Sequence, residues 1–100
     1  MHVIYRPCHT KADLCREMKQ LSEMKGAPSY LEATIYSKEE SVIFICEPAE
    51  VTTTEQRNLV NNANAWWKPW FYIHAASALE KGEFEEYLPA RDFFHRFTRY

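Results

Sequence analysis

The stretch from Trp66 to Tyr72 carries the residues of this chain with the clearest potential for chemistry. It reads Trp-Trp-Lys-Pro-Trp-Phe-Tyr and holds all three tryptophans of the sequence. A large aromatic side chain can bury about 150–250 Å², so a cluster of this kind anchors either a core or a partner protein. Trp and Tyr are also enriched among the residues that dominate interface energetics. We therefore predict a partner-binding surface formed by Trp66, Trp67, Lys68, Pro69, Trp70 and Tyr72.

Pro69 restricts the backbone at the centre of this stretch. Proline fixes its own φ, lacks an N–H donor and disfavours helical geometry at the preceding residue, so a helix ending near Trp67 cannot continue smoothly. The sequence predicts a corner between two helices, with a trans Lys68–Pro69 peptide bond and Pro69 in the first turn of the second helix. The alternative is an exposed Pro-aromatic loop, which a prolyl isomerase could bind at Pro69.

The C-terminal residues form a second predicted contact surface. Arg91, Arg96 and Arg99, with an exposed Tyr100, could contact phosphates while aromatic rings stack on bases. Three arginines are too few for strong autonomous DNA binding at physiological salt, because phosphate contacts are steeply screened. Any contact with DNA is therefore expected to be weak or indirect.

The sequence contains no recognisable catalytic or cofactor motif. Gly26 and Gly82 are its two glycines, so it cannot form a Gly-rich phosphate loop. The carboxylate pairs Glu39–Glu40 and Glu85–Glu86 lie on predicted turns, where adjacent side chains diverge into solvent. His74 lies among apolar neighbours without a nearby carboxylate or nucleophile in the sequence, which is typical of a core or edge histidine. We predict no enzyme activity, no catalytic residues and no cofactor.

The three cysteines indicate a reducing compartment. An odd number at irregular spacing is not a disulfide framework. A zinc site formed by Cys8, His9, Cys15 and Cys46 is an alternative, but Cys-x₆-Cys is not a recognised structural spacing. We expect buried free thiols and no metal.

Length and composition restrict the class of protein. A chain of 100 residues with 46% hydrophobic and 15% aromatic residues predicts one folded domain over residues 1–100. A net charge of −2, with both signs interspersed, argues against a DNA mimic and against a basic nucleic-acid clamp. No apolar run approaches 18 residues, so no membrane span is predicted. The first residues lack the features of a signal peptide, and a cytoplasmic location is expected.

Hydrophobic periodicity and turn residues predict the order of the elements. A short strand at His2–Arg6 should end at Pro7, and a helix should follow the N-cap Thr10 and end near Gly26. Alternation over Ser29–Ser37, with Leu31, Ala33 and Ile35 on the inner side, indicates a half-buried strand. The continuous apolar run Ser41–Cys46 indicates a central strand that pairs with it as an antiparallel hairpin.

The second half of the chain is predicted to be helical. One helix should begin after Thr53, with Gln56 completing a capping box, and extend to Trp67. Its asparagines form either a solvated face or a hydrogen-bonding surface. A second helix should span Pro69–Lys81 with Ile73, Ala75, Ala76 and Leu79 inward. After a solvated acidic turn, a last helix should run from Ala90 to about Arg99, with Phe93, Phe94 and Phe97 inward and Arg91, His95, Arg96 and Arg99 on a basic face.

These elements predict a single α+β domain, in which a small antiparallel sheet of about three strands packs with three to four helices. A mainly helical domain that retains the hairpin as its β structure is the alternative.

Three segments give the sequence its overall character: Met-His-Val-Ile-Tyr at the start, Trp-Trp-Lys-Pro-Trp-Phe, and Phe-Phe-His-Arg-Phe near the end. In these segments and in size, the chain resembles the small anti-RecBCD accessory proteins of lambdoid Salmonella-type phages. The resemblance implies a non-enzymatic protein that binds the host RecBCD helicase–nuclease and modulates its processing of DNA ends to favour phage recombination. It also implies a contact between Pro69 and a host prolyl isomerase. A single-stranded nucleic-acid-binding accessory protein is the alternative function.

Overall fold

The computed structural model describes residues 1–65 and 68–97, which form a four-stranded antiparallel sheet with helices on both faces. The strands are β1 (His2–Cys8), β2 (Tyr30–Ile35), β3 (Ser41–Glu47) and β4 (Phe84–Tyr87), in the order β2-β3-β1-β4. The helices are α1 (Lys11–Glu23), α2 (Thr54–Asn58), α3 (Phe71–Ala76), α4 (Ala78–Lys81) and α5 (Ala90–Phe94). The predicted α+β class is confirmed.

The strand β3 forms the centre of the core, as the continuous apolar run predicted. All residues from Ser41 to Cys46 are buried. Successive side chains of a strand point to opposite faces, so β3 contributes to two hydrophobic clusters. Phe44 packs with Tyr5 and Phe71 on the face covered by α3 and α4, whereas Ile43 belongs to the cluster on the face covered by α1.

The strand β1 continues through the proline that was predicted to end it. Pro7 lies opposite Val42 of β3, and the strand ends at Cys8. The pairing of β1 with β4 stops at Tyr5, so Pro7 lies where β1 pairs with β3 alone. A proline is compatible with such a position when its nitrogen faces the unpaired side.

The helix α1 begins where its capping signal predicted. The Thr10 side chain accepts a hydrogen bond from the backbone N–H of Asp13 at 3.0 Å, which satisfies a donor that lacks a partner within the helix. Leu14, Met18 and Leu21 then pack against the sheet at helical spacing.

The edge strand β2 is less buried than predicted. Leu31 packs on the α1 side of the sheet, but Ile35 is 68% exposed and Ala33 is also exposed. The predicted inward orientation is therefore wrong for these two residues. The reason is the position of β2 at the edge of the sheet, where it pairs with β3 alone.

The predicted helix from Thr53 to Trp67 is wrong for residues 59–65. The capping box of Thr53 and Gln56 is present, but α2 has only five residues. The next segment runs beside β4: the Asn61 N–H donates to the Tyr87 carbonyl at 2.9 Å, and the Tyr87 N–H donates to the Leu59 carbonyl at 2.9 Å. Asparagine is a weak helix former, and bonds to β4 replace the helical ones.

The predicted helix at Pro69–Lys81 consists of two short helices separated at Ser77. Trp70 is the N-cap of α3, so Pro69 lies before the helix rather than in its first turn. Ile73 is 58% exposed rather than inward, and Phe71 is buried in its place. The predicted end of the helical region at Gly82 is confirmed, and its φ of 90° explains why glycine suits that position.

The acidic segment after Gly82 is a strand, not the predicted solvated turn. β4 pairs with β1 along its length, and Glu86 is 7% exposed. The sheet therefore has one strand more than predicted. Pairing with β1 satisfies the backbone of this segment and compensates for its low strand propensity.

The last helix is shorter than predicted, because α5 ends at Phe94. Phe93 is buried as expected, but Phe94 and Phe97 are 60% and 50% exposed. Arg99 and Tyr100 lie outside the described residues. In the part of the chain that the structure covers, no helix combines the length and apolar character needed to cross a bilayer.

Candidate functional site

A cleft of about 390 Å³ lies between the segment after α2, the start of α3 and the strand β4. Its polar lining residues are Asn58, Asn61, Lys68, His74, Glu85 and Glu86. Its apolar lining residues are Leu59, Val60, Ala63, Pro69 and Phe71. Apolar walls with a few converging polar groups are the usual composition of a small-molecule site.

The carboxylate of Glu86 organises the base of the cleft. Its Oε1 atom accepts a hydrogen bond of 2.6 Å from the Tyr5 hydroxyl and lies 2.7 Å from Nε2 of His74. Burial, and to a lesser extent the Glu86 charge, raises the pKa of Tyr5. The phenol therefore remains protonated and continues to donate to Glu86.

Asn61 connects this cluster to Lys68. The Asn61 Oδ1 atom accepts a hydrogen bond of 2.7 Å from the Lys68 ammonium. Its Nδ2 atom lies 3.4 Å from both Glu86 Oε1 and His74 Nε2. The base of the cleft thus joins an ammonium, an amide, an imidazole and a carboxylate. Such a group can hold a small polar part of a ligand.

The sequence alone did not predict this site. His74 was interpreted as a histidine without a carboxylate partner, and that interpretation is wrong because β4 brings Glu86 to it. Alternation along β4 offered a signal, since Phe84 and Glu86 must share one face once the segment is a strand. The asparagines were predicted to form either a solvated face or a hydrogen-bonding surface. Asn61 and Asn64 follow the second alternative, since both side chains form hydrogen bonds within the protein; the Asn64 Nδ2 atom donates to the His95 carbonyl at 2.9 Å.

The residues of the predicted partner-binding surface are divided between two places. Lys68 and Pro69 line the cleft, whereas Trp70 and Tyr72 lie outside it and are 50% and 51% exposed. The Tyr72 carbonyl accepts a hydrogen bond of 2.8 Å from the Tyr36 hydroxyl. Trp66 and Trp67 fall outside the described residues. The described part of the chain contains no cis peptide bond, so Lys68–Pro69 is trans as predicted.

The predicted basic face is wrong for Arg96, which is 7% exposed. Its guanidinium pairs with Glu32, donates to the Phe93 carbonyl at 2.8 Å and lies 4.3 Å from the centre of the Phe93 ring. Stacking on aromatic rings and a carboxylate partner draw this arginine into the protein. Arg91 is exposed.

The cysteines do not form a metal centre in the described part of the chain. No group of three or more His, Cys, Asp or Glu side chains is placed there to hold a metal ion. Cys8 and Cys46 are buried free thiols as predicted, whereas Cys15 is exposed, contrary to prediction.

Comparisons with known proteins place the chain beside sterol-reducing enzymes. Over 73 residues, which cover 72% of this chain, it is 41% identical to the Delta(24)-sterol reductases of Arabidopsis thaliana and Pisum sativum. It is 29% identical over 97 residues, or 95% of the chain, to the Delta(24)-sterol reductase homolog dhcr-24 of Caenorhabditis elegans. The matched segment is 13% of each plant protein and 18% of the nematode protein, so the chain spans less than a fifth of the length of these relatives. No family model and no solved structure matches the chain.

These relatives correct several of the predictions made from the sequence. The resemblance to phage anti-RecBCD proteins is wrong, because the similar proteins are reductases of plants and animals. The predicted RecBCD and prolyl isomerase partners and the alternative of nucleic-acid binding are wrong for the same reason. The prediction that the chain is not enzymatic is also contradicted, since the relatives that it matches over part of their length are enzymes. The chain is thus similar to one segment of the Delta(24)-sterol reductases.

Proposed function

We propose that this chain contributes one section of an enzyme that reduces the Δ24 double bond of sterols. The observation that carries the proposal is the 41% identity to two plant Delta(24)-sterol reductases over 73 residues. The nematode match covers 95% of the chain and therefore includes the cleft formed by residues 58–86.

The composition of the cleft is compatible with such a substrate. A sterol is a rigid hydrocarbon with one hydroxyl group, so its binding site needs apolar walls and few hydrogen-bonding groups. The side chains of Leu59, Val60 and Phe71 provide apolar walls, and the cluster around Glu86 provides polar groups. The chain spans only a small part of the length of the relatives. On this proposal, the remaining active-site residues lie in the segments of the relatives that the chain does not match.

A segment exchange tests this function. In the Arabidopsis reductase, the matched 73-residue segment is replaced by the corresponding residues of this chain, and the product is expressed in cells without Δ24 reduction. We expect the exchanged enzyme to convert a Δ24 sterol to its saturated counterpart, as measured by mass spectrometry. A reductase with a flexible Gly/Ser linker in place of the segment is the control. If the exchanged enzyme is folded and expressed but no more active than the linker control, the proposal fails.

A further inference from the structure

Among the groups that meet at Glu86, Asn61 makes the longest contact to this carboxylate. Both contacts of its Nδ2 atom are 3.4 Å long, near the limit for a hydrogen bond, whereas the Tyr5–Glu86 and His74–Glu86 contacts are 2.6 Å and 2.7 Å. Its side chain is partly exposed at the base of the cleft. An amide group both donates and accepts hydrogen bonds, as a hydroxyl group does. Asn61 is therefore suited to exchange its long contacts for a ligand hydroxyl.

The surrounding protein holds the Asn61 amide in place. The backbone N–H of Asn61 is bonded to β4 through the Tyr87 carbonyl at 2.9 Å. Its Oδ1 accepts the Lys68 hydrogen bond at 2.7 Å, and Glu86, on the other side, is fixed by Tyr5 and His74. A polar group that is positioned before binding loses less conformational entropy when the ligand arrives.

The walls of the cleft set the chemical class of the ligand. Leu59 and Val60 leave 39% and 37% of their surface exposed beside Asn61, and Phe71 and Pro69 line the other side. A volume of about 390 Å³ can admit the hydroxyl-bearing end of a rigid hydrocarbon, while the rest of the molecule extends through the opening. An amide with two long contacts beside these apolar walls matches a molecule that carries a hydroxyl on a hydrocarbon skeleton.

We propose that this cleft binds the hydroxyl-bearing ring of a sterol, with the Asn61 amide as the hydrogen-bonding partner of the hydroxyl. Lys68, which donates to the Asn61 Oδ1 atom at 2.7 Å, orients the amide. The inference rests on the proposed function, which names sterols as the substrate class, and it assigns the end of the sterol that this chain recognises. The reacting double bond, at the opposite end of the sterol, then lies outside this cleft.

The test compares two ligands that differ at the hydroxyl. Binding of a sterol with a free ring hydroxyl and of the same sterol without this hydroxyl to the 100-residue chain is measured by displacement of an intrinsically fluorescent sterol. We expect the hydroxyl form to bind about tenfold more tightly, because the deoxy ligand has no oxygen atom to accept a hydrogen bond from the Asn61 Nδ2 atom. Asn61→Ala should abolish this preference, so that the two ligands bind with about equal affinity.

Asn62→Ala is the matched control, because Asn62 is an exposed neighbour outside the lining of the cleft and its loss should leave the preference unchanged. Asn61→Gln, which keeps the amide but moves it by one methylene, gives a second variant if Asn61→Ala does not fold, and it should also lose the preference. Absence of saturable sterol binding, equal binding of the two ligands, or a preference that survives both Asn61 variants would overturn the inference.

These outcomes are separate from those of the segment exchange. An active exchanged reductase together with no hydroxyl preference in the chain would leave the proposed function in place and remove the Asn61 assignment. An inactive exchanged reductase together with Asn61-dependent sterol binding would support the hydroxyl site and remove the reductase function.

Discussion

The thiol of Cys46 shows how strongly the folded environment alters a single residue. Cys46 lies in β3 with 0% of its surface exposed. Burial raises the pKa of this thiol from the ordinary value of 9.0 to about 12, and Arg96 opposes the increase. Desolvation disfavours the thiolate, so the folded protein keeps a proton that the unfolded chain releases.

The stability of the protein should therefore fall as the pH rises above 9. The pKa of Cys46 is higher in the folded state, so its contribution is complete below pH 9 and is lost as the pH rises towards about 12. For one such group, the free energy of unfolding decreases by about 1.4 kcal/mol per pH unit within this window. Urea titrations of the wild type and Cys46→Ala between pH 9 and pH 10 measure the two slopes, and their difference removes the contribution of Tyr5, which both proteins contain.

Below pH 9 the Cys46→Ala variant should be less stable than the wild type because it leaves a small cavity, so the slope, not the absolute value, is the informative quantity. We expect a shallower slope for the variant. Identical slopes for the two proteins would show that Cys46 ionises equally in the folded and unfolded states.

At the scale of the element, β4 determines the site. The strand alternates, so its two adjacent glutamates have opposite environments: the Glu85 side chain is 53% exposed beside His2, whereas that of Glu86 is 9% exposed beside His74. The segment reads as a charged turn in isolation, and pairing with β1 converts it into a strand.

The adjacent glutamates provide a matched test of this description. Glu86→Ala should lower the free energy of unfolding by about 2–3 kcal/mol, because it leaves the Tyr5 hydroxyl and His74 without their charged acceptor. Glu85→Ala removes a largely exposed contact and should cost less than about 1 kcal/mol. Urea denaturation at neutral pH measures both variants. Equal losses would mean that Glu86 is solvated and that β4 does not direct it inward.

At the scale of the whole molecule, the last residues that the structure describes hold the sheet and the helices together. Arg96 pairs with Glu32 of β2, which lies 64 residues earlier, and its guanidinium stacks on Phe93 and Phe97. The N-terminal ammonium of Met1 also donates to the Leu88 carbonyl at 2.8 Å. Met1 and Arg96 therefore both contact residues that lie far from them in the sequence.

Removal of the Arg96 contacts should destabilise the whole domain. We expect Arg96→Ala to cost about 2–3 kcal/mol, because it removes ring packing and a bond to the buried Phe93 carbonyl. Glu32→Gln should cost less than about 1 kcal/mol, since the Glu32 side chain is 45% exposed. Exposed Arg91 gives the matched arginine control, and Arg91→Ala should change stability by less than about 0.5 kcal/mol. Thermal melts measure these variants, and equal melting temperatures for Arg96→Ala and Arg91→Ala would contradict this assignment.

The sequence by itself determined the features that depend on neighbouring residues. The caps at Thr10 and Thr53, the hairpin of β2 and β3, the burial of β3 and the α+β class follow from hydrophobic periodicity and local hydrogen bonding. Each of these patterns operates within a few residues, so a single sequence is enough to reveal it.

Only the tertiary structure decided where the second half of the chain leaves helical geometry and what its polar residues contact. The Tyr5–Glu86 hydrogen bond joins residues 81 positions apart, and the segment after Asn58 bonds to β4 rather than to its own preceding turn. Local propensity favoured a helix and a solvated turn in these two places. The pairing of β4 with β1 supplied backbone hydrogen bonds and burial whose stabilising free energy is larger than these small differences in propensity. This pairing thereby created the cleft around Asn61 and His74.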